Sequence, residues 1–250
     1  MVISRDLVAK YLVSVFVDVG HVVGEREATI RLLAPVLVDF EMHLVPLNLE
    51  GMSFEEMPAE VLAKIPLVIF QSSDSTRQLV VQSGRVNYAI EGMFEKSDLP
   101  SWADFIAEAV PRLSAVLDAM GIAGNRLAFV AEELATDRVQ RVASTGEVAA
   151  RLLTIPRGVD PASLTEWQWR APYRRDHGSE RYNVLPRVVH ASGLDDGQRW
   201  DGIRFEFDAN TYQGNDEERF ASENLEEAFE ALLQVANDQD EIVSEAAGDF

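Results

Sequence analysis

Cysteine is absent from all 250 residues, and this one absence removes disulfides, thiolate metal sites, iron–sulfur clusters and cysteine nucleophiles together. Histidine is scarce. His21, His43, His177 and His190 are the whole set, and none stands three or four residues from another, so no helical imidazole pair is offered to a metal. The phosphate-cradling patterns Gly-x-x-x-x-Gly-Lys-Ser/Thr and Gly-x-Gly-x-x-Gly do not occur. Neither does His-Glu-x-x-His or a Gly-x-Ser-x-Gly elbow. The expectation is therefore no catalytic residue, no metal ligand and no cofactor, which leans away from an enzyme. Long apolar runs are also missing. Tyr11 to Gly20 is too short to span a bilayer, contains Asp18 and leads to no small-residue cleavage site. A cytoplasmic protein without a membrane partner is expected.

Positive charge is in deficit, with 22 basic against 42 acidic residues and a formal net charge of −20. Phosphate contacts need Lys and Arg, so this balance argues against a broad nucleic-acid footprint while leaving room for a local basic groove. It fits either a surface kept soluble by self-repulsion or an acidic face that engages a basic protein partner.

What is present is an ordinary globular composition, 47% hydrophobic and 26% charged. A chain of this length buries about 70–75% of its unfolded surface and needs no staple. Ser4 to Val19 fits a short helical or irregular start followed by a strand, because the β-branched run from Val13 to Val19 packs well on a pleat. The apolar region Ala28 to Leu49 is interrupted by Pro35 and Pro46, which limit the length of any regular element. Leu67 to Phe70, Gln78 to Gln82 and Arg85 to Ile90 read as strands joined by a polar Ser72–Thr76 turn and a tight Ser83-Gly84 turn. Ser101 is a good N-cap for a helix whose apolar stripe runs from Phe105 to Met120, with Pro111 expected to kink or split it and Gly121 to end it.

The second half repeats that order. Leu127 to Val130, Trp167 to Arg170, Leu185 to His190 and Ile203 to Asp208 are strand candidates. In the last, Ile203, Phe205 and Phe207 alternate with Arg204, Glu206 and Asp208, as a sheet with one wet face requires. Glu147 to Leu153 suits a short helix. A closing amphipathic helix starts near Asn224, and its acidic tail, residues 237–250, is expected to fray. The predicted class is α+β: largely antiparallel sheet with two amphipathic helices on one face, and a pseudo-duplication in two tightly packed halves, 1–122 and 123–250, or one domain.

The most unusual surface candidate is Trp167-Gln-Trp-Arg-Ala-Pro-Tyr-Arg-Arg175. Trp167, Trp169, Arg170, Tyr173, Arg174, Arg175, His177 and Arg181 are the candidate binding residues. Aromatics interleaved with arginine stack bases while neutralising phosphates, or anchor a protein partner. The alternative is a strand with its tryptophans in the core, followed by a loop whose basicity complements the 15 acidic and 2 basic residues of 201–250. His177, beside Asp176, is the best general-base candidate among the histidines; His190 reads as a core or edge residue. Asp208 to Arg219 looks like a calcium loop, but Gln213 stands where glycine is needed and Arg219 where a bidentate Glu is needed. It reads as a polar connection.

Phe70-Gln-Ser-Ser-Asp-Ser-Thr-Arg-Gln-Leu-Val-Val-Gln-Ser-Gly-Arg-Val-Asn87 and Asn125-Arg-Leu-Ala-Phe-Val130 resemble stretches of an uncharacterised, sporadically distributed bacterial protein family of about 250 residues. The resemblance extends to the order of elements and imports no catalytic residue. It implies a gene of mobile or defence type, where antitoxin, immunity and other binding roles are common. Three functional readings follow: a non-enzymatic interaction protein of that kind, a nucleic-acid or nucleotide binding protein using the Trp/Arg segment 167–187, and a structural subunit of a larger assembly.

Overall fold

The computed structural model describes residues 5, 7–17, 26–46, 65–136, 145–155, 157–164, 166–195 and 198–247. His21 and the ends of the Val13–Val19 and Ala28–Leu49 segments lie outside them. Period-2 patterning dominates, and among the described residues eleven strands join one sheet, all of whose pairings are antiparallel. The first half supplies β1 (Leu7–Phe16), α1 (Arg26–Val38), β2 (Met42–Leu44), β3 (Val68–Ser72), β4 (Arg77–Gln82), β5 (Arg85–Glu95) and α2 (Trp102–Met120). The second supplies β6 (Arg126–Thr136), α3 (Thr145–Leu152), β7 (Gln168–Arg170), β8 (Tyr173–His177), β9 (Glu180–Val184), β10 (Arg187–Asp195), β11 (Gln198–Thr211) and α4 (Leu225–Ala247). Strand order is β2-β3-β4-β5-β1-β6-β11-β10-β7, with the β8–β9 hairpin attached to β11 through β9.

The opening strand of each half, β1 and β6, therefore lie side by side at the centre, and each half then runs strand, helix, strands, long helix. The two halves share one sheet and one hydrophobic core cluster. Tyr11, Val13, Val15, Tyr88, Phe129, Phe205 and Phe207 point into that core. Over them lies the helical layer: α2 packs on β1 and β5, α4 on β6, β9 and β11, α2 on α4, α1 on α2 and α3 on α4. Four helices are thus described where the sequence led us to expect two amphipathic ones.

Several local expectations change. β1 is strand from Leu7 onward, because sheet partners on both sides, β5 and β6, take up its backbone groups. Pro111 does not split α2. The carbonyl it deprives of a partner is that of Ala107, and both residues are exposed, so water can serve. Pro35 likewise sits inside α1. The acidic tail does not fray before Ala247: Gln239, Val243 and Ala247 are buried, so tertiary packing carries α4 onward. Residues 174–178, read as loop, are mostly strand β8, turning into β9 through Gly178 at φ 60°. The Ser101 cap holds as expected, with its Oγ accepting from the Asp104 amide at 3.1 Å, and Gly121 ends α2 in the left-handed region.

Candidate functional site

The alternation that points Ile203, Phe205 and Phe207 at the helices points Arg204, Glu206, Asp208 and Asn210 to the other face of the sheet, which none of the described helices covers. A groove of about 590 Å³, with polar and apolar lining in equal measure, lies there. Its floor is the outward-facing row of the central strands, including Leu12, Ser14, Phe16, Arg126, Ala128, Val130, Asp208 and Asn210, and Pro172, Leu185, Tyr212 and Gln213 help to wall it.

Register brings the charges together. Phe16 on β1 pairs with Arg85 on β5 and with Arg126 on β6, so two arginines flank one aromatic ring. The Arg126 guanidinium lies over that ring, with Cζ 3.5 Å from the centroid. Its Nε is buried without a hydrogen-bond partner. Burial holds the Arg126 pKa below its ordinary value; Asp208 opposes this shift and neighbouring Arg85 adds to it. The Arg85 side chain is steadied by donating to Gln82 Oε1. Arg174 reaches the rim and rests on the Tyr212 ring at 4.8 Å.

One row along, the groups are Ser14, Asn210 and Asn183, neutral and polar, and the Asp208 carboxyl follows in the row beyond. Ser14 Oγ donates to Asn87 Oδ1 at 2.8 Å, Asn183 Nδ2 to Asn210 Oδ1 at 3.3 Å, and Asn210 Nδ2 to Asp208 Oδ1 at 3.0 Å. Burial raises the Asp208 carboxyl above its usual value, with the Asn210 bond and Arg126 acting against the shift. The groove thus holds three arginines and one carboxylate in a chain of net charge −20.

The candidates named from sequence are spread over β7, β8, β9 and the residue before β7, and over both faces. Trp167 is buried, its ring stacked 6.4 Å from that of His190, which in turn meets Asp201 at 2.5 Å. Trp169 packs against the core. Arg170 lines a smaller cavity with Glu132, Arg187 and Glu206. Tyr173 is half-buried and packs on the core, Arg175 pairs with Asp238 of α4, and Arg181 pairs with Asp176 at 2.7 Å. His177 meets the Tyr182 ring edge-on. On strand β8, Asp176 and His177 point to opposite faces, so adjacency in sequence does not couple them. Tyr173 and Arg174 alone among these eight line the groove.

Arg85, Phe16, Arg126 and Asp208 went unrecognised as site residues. A signal existed: Arg126 precedes an alternating run, Leu127 and Phe129 inward, that obliges it to point outward. Which strand lies beside it is not legible from that run.

No helix among the described residues is long and apolar enough to cross a membrane. Compared with protein-family models and with curated proteins, the chain matches none.

Proposed function

We propose that this protein works by binding, and that the groove on the open face of the sheet receives a small anionic ligand. One observation carries the reading: Arg85 and Arg126 are registered on either side of Phe16, and the Arg126 Nε is buried with nothing to accept its proton. A buried N–H left without an acceptor is costly, and such a cost persists where an incoming anion completes the site. Arginine suits this role because its planar fork binds phosphate or carboxylate through two bonds. The dimensions fit too, since small-molecule pockets run from about 300 to 1,000 Å³.

The expectation of a protein partner rests on the missing catalytic motifs, the overall charge and the Trp/Arg segment, whose Trp167 is buried. The nucleic-acid reading of segment 167–187 meets arginines that are already engaged, Arg175 with Asp238 and Arg181 with Asp176. The groove adds named residues and a geometry, so it takes precedence over both.

The test is thermal unfolding in inorganic phosphate against chloride at matched ionic strength, for the native chain and for Arg126→Met. Phosphate is expected to raise the midpoint of the native chain and not that of the variant. Equal responses would remove the groove from consideration.

A further inference from the structure

Arg85 and Arg126 sit on strands separated only by β1, so their Cα atoms are about 10 Å apart, two strand spacings. An arginine side chain is long enough for both to reach one small group above Phe16. The two guanidiniums also repel, for Arg85 lowers the Arg126 pKa. A dianion relieves that repulsion better than a carboxylate does, which favours a phosphoryl group.

Two residues further along the strands, about 7 Å away, the groove changes character. Ser14, Asn210 and Asn183 line it there, and Asp208, paired with Val130, follows two residues beyond them. Their internal bonds leave the Ser14 Oγ lone pairs, the second Asn183 N–H and Asp208 Oδ2 free of any partner among the described residues. Donors and acceptors side by side suit hydroxyl groups, each of which donates and accepts. Leu12, Ala128, Val130 and Leu185 supply apolar surface for a C–H face. Asp208 also repels a second phosphate at that end.

A nucleobase is less well served. The aromatic rings of Phe16 and Tyr212 each carry a guanidinium already, so the stacking surface a base uses is occupied.

The geometry points to a phosphorylated sugar or polyol as the ligand, its phosphoryl group between Arg85 and Arg126 and its hydroxyls at Ser14, Asn183, Asn210 and Asp208. This rests on the reading of the groove as an anion site.

Titration calorimetry on the full chain separates the two claims. Ribose 5-phosphate, glucose 6-phosphate and glycerol 3-phosphate are compared with inorganic phosphate, ribose and AMP at constant ionic strength. At least one of the three phosphate esters is expected to bind about tenfold or more tighter than inorganic phosphate and than AMP, and ribose much more weakly. Arg126→Met should abolish binding of ester and phosphate alike. Asn210→Ala, with Asp208→Asn as a second variant should the first fail to fold, should erase the tenfold preference and keep phosphate binding. If phosphate binds through Arg126 but AMP or phosphate equals or exceeds all three esters, the sugar-phosphate assignment fails and the anion site stands. If no anion binds, both fall.

Discussion

The guanidinium of Arg126 rests on the ring of Phe16, 3.5 Å from its centroid, while its buried Nε finds no acceptor. Attraction to the ring and the cost of the unpaired N–H act on the same side chain in opposite directions. A cation–π contact is worth up to about 2 kcal/mol when desolvated, and an unsatisfied buried donor costs about 1–3 kcal/mol.

Arg126→Met is therefore expected to change the unfolding free energy in urea by no more than about 1 kcal/mol. Anion binding should be lost in the same variant. A loss of about 3 kcal/mol or more would show that Arg126 holds the fold and is not held for a ligand.

Glu133 is the reverse case, a fully buried carboxylate with every partner in place. It accepts from Trp102 Nε1 at 3.0 Å, Tyr11 hydroxyl at 3.1 Å and Lys96 Nζ at 2.7 Å, and Arg5 lies 3.4 Å away. Glu133→Ala should cost about 3–5 kcal/mol, because it leaves those donors uncompensated. In a double-mutant cycle with Trp102→Phe, the two losses should sum to more than the double variant shows. Additive losses in denaturant unfolding would contradict a shared network.

The raised Asp208 carboxyl sets a pH dependence. A carboxyl whose folded pKa exceeds its unfolded one binds more protons in the folded state, so stability falls as pH rises through that interval. Asp208→Asn removes the penalty. The variant should be more stable than the native chain above the interval, with the gap closing as pH is lowered through it, and phosphate should bind it more tightly at pH 7. Unfolding midpoints from pH 3 to 8 check this; a gap that does not vary with pH would assign the effect to packing.

Gly124 links the groove to the connection between β11 and α4. It forms an isolated bridge with Phe220, and a Cβ there would stand 2.4 Å from Val15 Cγ1 and 3.2 Å from the Phe16 carbonyl oxygen. Gly124→Ala should cost about 1–3 kcal/mol through overpacking. By displacing Phe16 it should also weaken phosphate binding beyond what the stability loss explains. Calorimetry well below the variant's melting temperature separates the two effects.

Local patterns were legible wherever the physics was local. The Ser101 cap, the Gly121 stop, the tight Ser83-Gly84 turn and the inward set Ile203, Phe205 and Phe207 follow from side-chain chemistry and a period of two, and the chain adopts all four. Elements stabilised by distant neighbours were misjudged. Residues 174–178 are polar and arginine-rich and read as loop, yet β11 and α4 hold the β8–β9 hairpin they belong to in place. Residues 237–247 look like a fraying tail, yet the core buries three of their side chains.

The same division governs the site. The residues and their order alone set the composition, the absence of thiol chemistry, the α+β class and the face of its strand on which each of Phe16, Arg126 and Asp208 falls. Long-range pairing makes β5, β1 and β6 neighbours, and so places Arg85 and Arg126 on either side of Phe16 from 41 residues apart in the chain. Strand order is set by which long-range pairings bury the most apolar surface together, a collective property of the chain that no window of sequence contains.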